Sequence, residues 1–488
     1  MKNYFIFAVA FVALVSGSSR AFAATCEELA SIKLENATIT TAQTVAATPD
    51  APAHCSIALT SKPAADSDIH IEVWLPTSGW NGKFQAVGNG GWNGNIDRNA
   101  LATGVRRGYA VASTDLGHTG GAGPWMQSQD KLIDFGYRAT HEMALKGKTI
   151  VAAFYGSSTP IQHSYFTGCS AGGRQALKEA QRFPDDFDGI VAGAPALNTT
   201  GRAAFATYIG QYLHKDDASL IPATKFPAIH DAVLQACDAL DGVTDRVIEN
   251  PRACKFDPKV LECKAGDSPS CLTPAQVESA RTMYKPLINP KTGKEIFQPL
   301  EYGSELGWTT FGGAQPFPIG IQMYQQLFKD PSWDYKTFNP EGDVARVETI
   351  EHGNVNAMDP NLKPFIGRGG RLIQYHGWAD QQIPSGSSVR YYESVVSAMG
   401  GADKVANNYR LFMVPGMGHC GGGDGPTSFD MLTALEQWVE KGKAPESIPA
   451  SHVANGAADR SRILCPYPQV ASFKGSGDPN DAKNFACK

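Results

Sequence analysis

Residues 165–175 read Tyr-Phe-Thr-Gly-Cys-Ser-Ala-Gly-Gly-Arg-Gln and contain the pattern Gly168-x-Ser170-x-Gly172. In a nucleophile elbow a strand ends, the chain turns sharply and a helix starts at once. The serine then stands at the tip of the turn, and the glycines allow the tight backbone. A bare G-x-S-x-G also arises by chance in loops, so the flanks decide. His163 to Thr167 are aromatic and β-branched, as in a buried strand. Arg174 to Phe183 read as a helix with Ala176, Leu177 and Ala180 on one side.

A chain of 488 residues exceeds what one compact core usually holds, so two domains, or one domain with a large insertion, are expected. The 50 glycines and 31 prolines point to long, shaped loops. A net charge of −5 without a basic block gives no footprint for nucleic acid. Lys2, the apolar run Tyr4 to Val15 and Ala21-Phe22-Ala23 have the form of a signal peptide, with a mature chain starting near Ala24. That run is too short for a membrane anchor, and no later one spans a bilayer. Export to the periplasm or the outside is therefore expected. The residues give no indication of oligomeric state.

Ten cysteines in an exported chain favour disulfides. Sequence alone does not settle the connectivity, but the spacing suggests local pairs: Cys26 with Cys55, Cys237 with Cys254, Cys263 with Cys271, Cys465 with Cys487. Cys169 and Cys420 remain, one beside Ser170 and the other beside His419. A bond between them would tie the elbow to the histidine loop; two free buried thiols are the other reading.

Residues 24–60 read as an N-terminal arm. Strands are expected at His70–Pro76, Lys83–Val87, Tyr109–Asp115, His163–Thr167, Gly189–Pro195, Arg371–Gly377 and Tyr409–Val414. Helical patterns lie at Asp134–Tyr155, Ser387–Met399 and Phe429–Val439. This alternation argues for a doubly wound α/β sheet. From 197 to 364 the rhythm stops, and four cysteines and many aromatics cluster. That segment reads as an inserted, disulfide-rich lid domain, leaving 24–196 and 365–488 as the two parts of the core.

A serine hydroxyl needs a base to take its proton and a carboxylate to orient that base. In α/β-hydrolases the chain order is Ser, acid, His. Ser170, Asp380 and His419 obey it, and both partners follow expected strands. His376 and His352 also follow Ser170, but His376 precedes the acid and His352 lies in the lid segment. Asp380 as a turn cap and His419 as an ordinary loop histidine are the blander readings. The Ala171 N–H, with one from Gly90 or Gly91 in the loop Gly88–Gly94, would hold the oxyanion.

A second constellation is Asp238, Asp241 and Asp245, turning through Gly242. Three carboxylates in eight residues, with the carbonyls of Val243 and Val247, suit a hard cation such as Ca²⁺. A solvated acidic turn is the alternative. No organic cofactor is expected.

The sequence resembles the tannase/feruloyl esterase family of α/β-hydrolases. The residues that carry this are Gly168-Cys169-Ser170-Ala171-Gly172-Gly173, Gly377-Trp378-Ala379-Asp380 and Gly418-His419-Cys420, and Asp238 to Val247 resemble the family's lid calcium site. The resemblance implies a Cys169–Cys420 bond and fits all five proposed pairs. It also implies hydrolysis of esters of aromatic acids: ferulate and other hydroxycinnamates, gallate, or terephthalate monoesters. Ser170 would be acylated. A terephthalate half-ester needs a cationic anchor, for which Arg281 and Arg346 are candidates. The competing readings are a serine peptidase of the same fold and a non-catalytic binding protein on a hydrolase scaffold.

Overall fold

The computed structural model describes residues 24–156 and 158–488, so the leader read at 1–23 lies outside the described residues. A nine-stranded sheet carries the molecule. Its strands, in chain order, are β1 (Ala37–Val45), β2 (His54–Ser61), β3 (Ile69–Pro76), β4 (Lys83–Val87) and β5 (Ala110–Thr114), then β6 (His163–Cys169), β7 (Gly189–Gly193), β8 (Arg371–Gly377) and β9 (Tyr409–Val414). They lie in the order β1-β2-β3-β5-β4-β6-β7-β8-β9. From β1 to β5 the pairing is antiparallel; from β5 to β9 it is parallel.

The parallel strands are apolar on both faces because helices cover both. Alternate residues feed two cores. Phe166, Ile190, Leu372 and Leu411 pack with the helices Ala139–Tyr155, Ala171–Arg182 and Gly386–Met399. Their neighbours Tyr165, Val191, Ile373 and Phe412 pack with Arg98–Arg106 and Met431–Lys441 on the opposite face. The period of two in the strands thus divides one sheet between two hydrophobic layers.

Residues 24–60 are not an arm. Their second half forms β1 and β2, an antiparallel extension of the sheet, with Cys26 bonded to Cys55 at its base. The helix expected from Asp134 begins as a single π turn, Asp134–Arg138, before the α-helix Ala139–Tyr155. Two small hairpins close the chain, Ile448–Ala454 with Ala457–Leu464 and Ala471–Phe473 with Phe485–Cys487.

Between β7 and β8 the chain makes a helical excursion. Its main helices are Thr199–Leu213, Phe226–Cys237, Pro274–Met283, Pro318–Phe328 and Gly342–Glu351. Phe205, Ile209, Trp308, Phe311 and Tyr324 of this insertion join the same buried cluster as Phe166 and Ile190 of the sheet. The insertion therefore shares its core with the sheet. The four local pairs that the spacing suggested are formed, 26–55, 237–254, 263–271 and 465–487, and Cys169 is bonded to Cys420, as the resemblance implies.

At the end of β6 the backbone is packed to contact. A Cβ on Gly173 would sit 2.3 Å from the Gly193 carbonyl oxygen and 2.9 Å from Pro195 Cα. Neither neighbour is a movable side-chain tip. Gly173→Ala is expected to destabilise the fold by about 3 kcal/mol, read as a lowered thermal unfolding midpoint.

Candidate active site

Each site residue leaves the C-terminal end of a parallel strand, the edge where open α/β sheets place their ligands. Ser170 follows β6 at φ +63°, ψ −120°, a conformation that L-residues avoid. The surroundings hold it there. The Ser170 N–H donates to Gly193 O at 2.9 Å, and its carbonyl accepts from Arg174 N at 3.1 Å and Ala196 N at 3.0 Å. A Cβ on Gly168 would lie 2.5 Å from the Gly172 carbonyl carbon, so the turn can be this tight only with glycine there.

The three sequence-selected side chains meet. Ser170 Oγ lies 2.9 Å from His419 Nε2 and donates to it. His419 Nδ1 lies 2.8 Å from Asp380 Oδ2 and donates in turn. Asp380 is 1% exposed. Its other oxygen accepts the Gln382 N–H at 2.7 Å and the Ile383 N–H at 2.8 Å. Burial works to raise this carboxyl. The charge of His419 and the hydrogen bonds from His376 and His419 outweigh it and hold the group far below the usual carboxylate range.

His376, set aside as a base from its place in the chain, is a second support for the acid. Its Nε2 lies 3.1 Å from Asp380 Oδ2, and its Nδ1 lies 2.7 Å from Ser388 Oγ. The sequence signal was available: His376 stands four residues before Asp380 at a strand end.

Ala171 is the first residue of the helix Ala171–Arg182, where an N–H has no acceptor within the helix. Gly91, at φ +55°, lines a small cavity with Ser170 and Ala171. Gly90 is its neighbour on open backbone and does not line that cavity. The Gly88–Gly94 loop is pinned by Asn89, whose Nδ2 donates to Thr114 O at 2.8 Å and Asn95 O at 2.9 Å. Asn89 O accepts the Gly172 N–H at 2.7 Å, which couples the loop to the elbow. His118 Nε2 also lies 2.8 Å from Trp92 O.

Trp92, Phe135 and Ile319 form the apolar walls of the cavity, and Arg174 and Arg202 add charge. None of these was singled out from sequence. The two arginines that were, Arg281 and Arg346, are elsewhere. Arg281 pairs with Asp257 at 2.6 Å and with Glu278. Arg346 lies 3.8 Å over the Phe328 ring. Neither lines the cavity, because their local partners hold them elsewhere on the insertion.

In the acidic turn, Asp241 accepts the Val243 N–H at 2.9 Å and Asp245 accepts the Val247 N–H at 3.1 Å. Asp238 accepts the Arg246 N–H at 2.9 Å. Arg460 and Arg462 both reach Asp245. Burial, with Asp245 and Asp238 close by, pushes Asp241 up to about 6. Burial likewise pushes the adjacent Glu249, not anticipated from sequence, up to about 8. Among the described residues, Asp238, Asp241 and Asp245 are not gathered with their carboxylate oxygens all within 4.8 Å of one another, so the turn supplies oxygen donors of the right kind without a closed ligand cluster.

A family model described as tannase and feruloyl esterase matches residues 55–488. An uncharacterised esterase of Xanthomonas campestris pv. campestris is 36% identical, over 95% of this chain and 91% of its own. A probable feruloyl esterase B-2 of Aspergillus terreus is 34% identical, over 89% of this chain and 86% of its own. Among solved structures, feruloyl esterase B of Aspergillus oryzae superposes with a TM-score of 0.89 at 31% identity, covering 95% of this chain and 99% of that one. The tannin acyl hydrolase of Aspergillus niger, at 24% identity and TM-score 0.80, covers 96% of this chain and 95% of its own and shares the fold. A matching family model over nearly the whole described chain, on an α/β-hydrolase sheet, makes this protein a member of the tannase and feruloyl esterase family and a carboxylic ester hydrolase.

Proposed function

We propose that the protein is an exported serine esterase that cleaves esters of aromatic carboxylic acids through an acyl-enzyme on Ser170. The feruloyl esters in its relatives' names, with gallate esters and terephthalate monoesters, are the substrate class. The observation that carries this is the His419 ring bridging Ser170 Oγ and the buried Asp380 beside an aromatic-walled cavity. The five disulfides support export.

His419 Nε2 takes the hydroxyl proton as Oγ attacks the ester carbonyl carbon. Asp380 keeps the Nδ1 proton in place and stabilises the imidazolium without itself accepting a proton. The Ala171 N–H, with one from the Gly90–Gly91 backbone, receives the developing oxyanion. His419 then returns the proton to the departing alcohol. Water repeats the cycle against the acyl-enzyme and frees the aromatic acid. Peptidase activity from the same residues is the competing reading; cleavage of peptides but not of aryl esters would favour it.

Asp238, Asp241 and Asp245, with the carbonyls of Val243 and Val247, would hold a structural Ca²⁺. When bound, the ion would neutralise the crowded carboxylates and brace the segment between Cys237 and Cys254.

Four outcomes are expected. Ser170→Ala is expected to lose at least about 10⁴-fold in kcat on methyl ferulate and methyl gallate, and all labelling by a fluorophosphonate; undiminished turnover would refute the reading. Asp380→Asn is expected to lose about 10⁴-fold in kcat with the fold intact. The folded Asp380 carboxyl is held below its ordinary value of 3.8, so its stabilising contribution is complete above about pH 4 and is lost as pH falls. The stability gap between wild type and Asp380→Asn is therefore expected to shrink on acidification, in unfolding curves recorded from pH 7 to pH 3. Chelation is expected to lower the unfolding midpoint of the wild type but not of Asp241→Asn. A metal-free wild type by elemental analysis, with no shift, would remove the calcium proposal.

A further inference from the structure

We infer that the cavity between the insertion and the loop Gly416–Asp424 is a second binding site, separate from the one beside Ser170, and that its ligand is a small aromatic molecule with two adjacent hydroxyls, a catechol.

The cavity holds about 290 Å³. Ser170, Asp380 and His419 do not line it. Gln381 does, and its Oε1 accepts the His419 N–H at 3.2 Å. The space therefore borders the histidine loop without reaching the triad.

His230, on the helix Phe226–Cys237, lines this space and is 3% exposed. Its Nδ1 lies 2.8 Å from Glu305 Oε2. Glu305 is fully buried, and its other oxygen accepts the Tyr284 O–H at 2.7 Å and the Gly303 N–H at 2.8 Å. A carboxylate so engaged keeps the proton of a neutral imidazole on Nδ1, so Nε2 presents a lone pair. That nitrogen has no hydrogen-bond partner among the described residues. Asp424 Oδ2 stands 3.8 Å from it, beyond hydrogen-bond reach, and is itself an acceptor. His376 makes the contrast. It is buried as deeply, but its Nδ1 meets Ser388 Oγ at 2.7 Å and its Nε2 meets Asp380 Oδ2 at 3.1 Å. Both of its nitrogens are committed to the fold, whereas His230 keeps one for a donor that comes from outside. Leaving a buried acceptor without such a donor is costly.

The lining sets the class of ligand. Two acceptors on one space match two donor protons. A lone hydroxyl brings one proton, and hydroxyls on neighbouring ring carbons bring one for each acceptor. A metal ion would need more ligands than one nitrogen and one carboxylate, and Leu234, Ile248 and Trp378 supply none. Those three side chains are instead an apolar wall for a ring. A dry cavity of about 150 Å³ already takes benzene. This one has room for the ring and both hydroxyls.

The test is calorimetric titration of the full chain with catechol, phenol and 1,2-dimethoxybenzene, the last lacking both donor protons. It is run at about pH 8, where an ordinary imidazole is neutral. The wild type is expected to bind catechol about 30-fold tighter than 1,2-dimethoxybenzene or more, with phenol between them. His230→Phe is expected to weaken catechol binding by about 10-fold or more, and Asp424→Ala by about 5-fold or more, with little change for 1,2-dimethoxybenzene. Wild type that binds catechol no tighter than 1,2-dimethoxybenzene overturns the inference. So does catechol binding that the variants leave unchanged; Asp424 is half-exposed, so Asp424→Ala decides this even if His230→Phe fails to fold. Fluorophosphonate-labelled protein is expected to bind catechol as the unlabelled protein does. Loss of binding on labelling would put the ligand at Ser170 and overturn the second site. A Ser170 that does not label sinks the esterase reading, while the two variants still decide this one.

Discussion

The structure turns on keeping one buried charge where it is useful. Asp380 lies beneath the surface with almost no access to water, and an ionised carboxylate there is costly unless it is fully engaged. Two imidazoles and two backbone N–H groups engage it. That arrangement fixes the turn after β8, aims His419 at Ser170 and settles which ring nitrogen faces the serine. The same four contacts that make the burial tolerable hold the His419 imidazole against Ser170.

Above this cluster the insertion and the sheet act as one body. The cavity beside Ser170 takes Trp92 and Phe135 from loops of the sheet, and Thr199, Arg202 and Ile319 from the insertion. The apolar residues behind both sets form a single buried cluster. A wall that shares its core with the sheet is held more firmly than a hinged cover would be. Pocket shape is then set by packing, and a core substitution in either part is felt at the site.

The elbow was legible because its chemistry forces its composition. Gly168 and Gly173 stand where a Cβ would overlap backbone, and at Gly172 it would press on the Gly88–Asn89 backbone at 3.1 Å, so the pattern follows from sterics. The strands from β3 onward were legible because burial on one or both faces makes their apolar content plain. β1 was not. Its Thr-rich run is largely exposed, and only its pairing with β2 makes it a strand. Arg281 and Arg346 suit an anion as residue types, but Asp257 and Phe328 hold them away from the cavity beside Ser170. His376 lay between: chain order set it aside as the base, as the structure bears out, but gave no sign that it supports the acid.

The position of the longest cross-link follows from the loop it restrains. The segment after β9 carries Gly416, Gly421, Gly422 and Gly423 at positive φ, and Cys420 itself at +61°. It doubles back tightly: Gly418 N reaches Gly422 O at 2.9 Å, and a Cβ on Gly425 would fall 1.7 Å from Pro415 O. Such a backbone gives His419 its approach but surrenders much conformational entropy on ordering. A tether at Cys420 to Cys169, one residue from the serine, shortens the distance over which that loop can wander relative to Ser170. Placed at either end of the loop, the same bond would stabilise the chain comparably by loop closure yet leave the imidazole free to drift. The cysteines sit directly against Ser170 and His419, so the tether acts on the two residues joined by the 2.9 Å Oγ–Nε2 hydrogen bond.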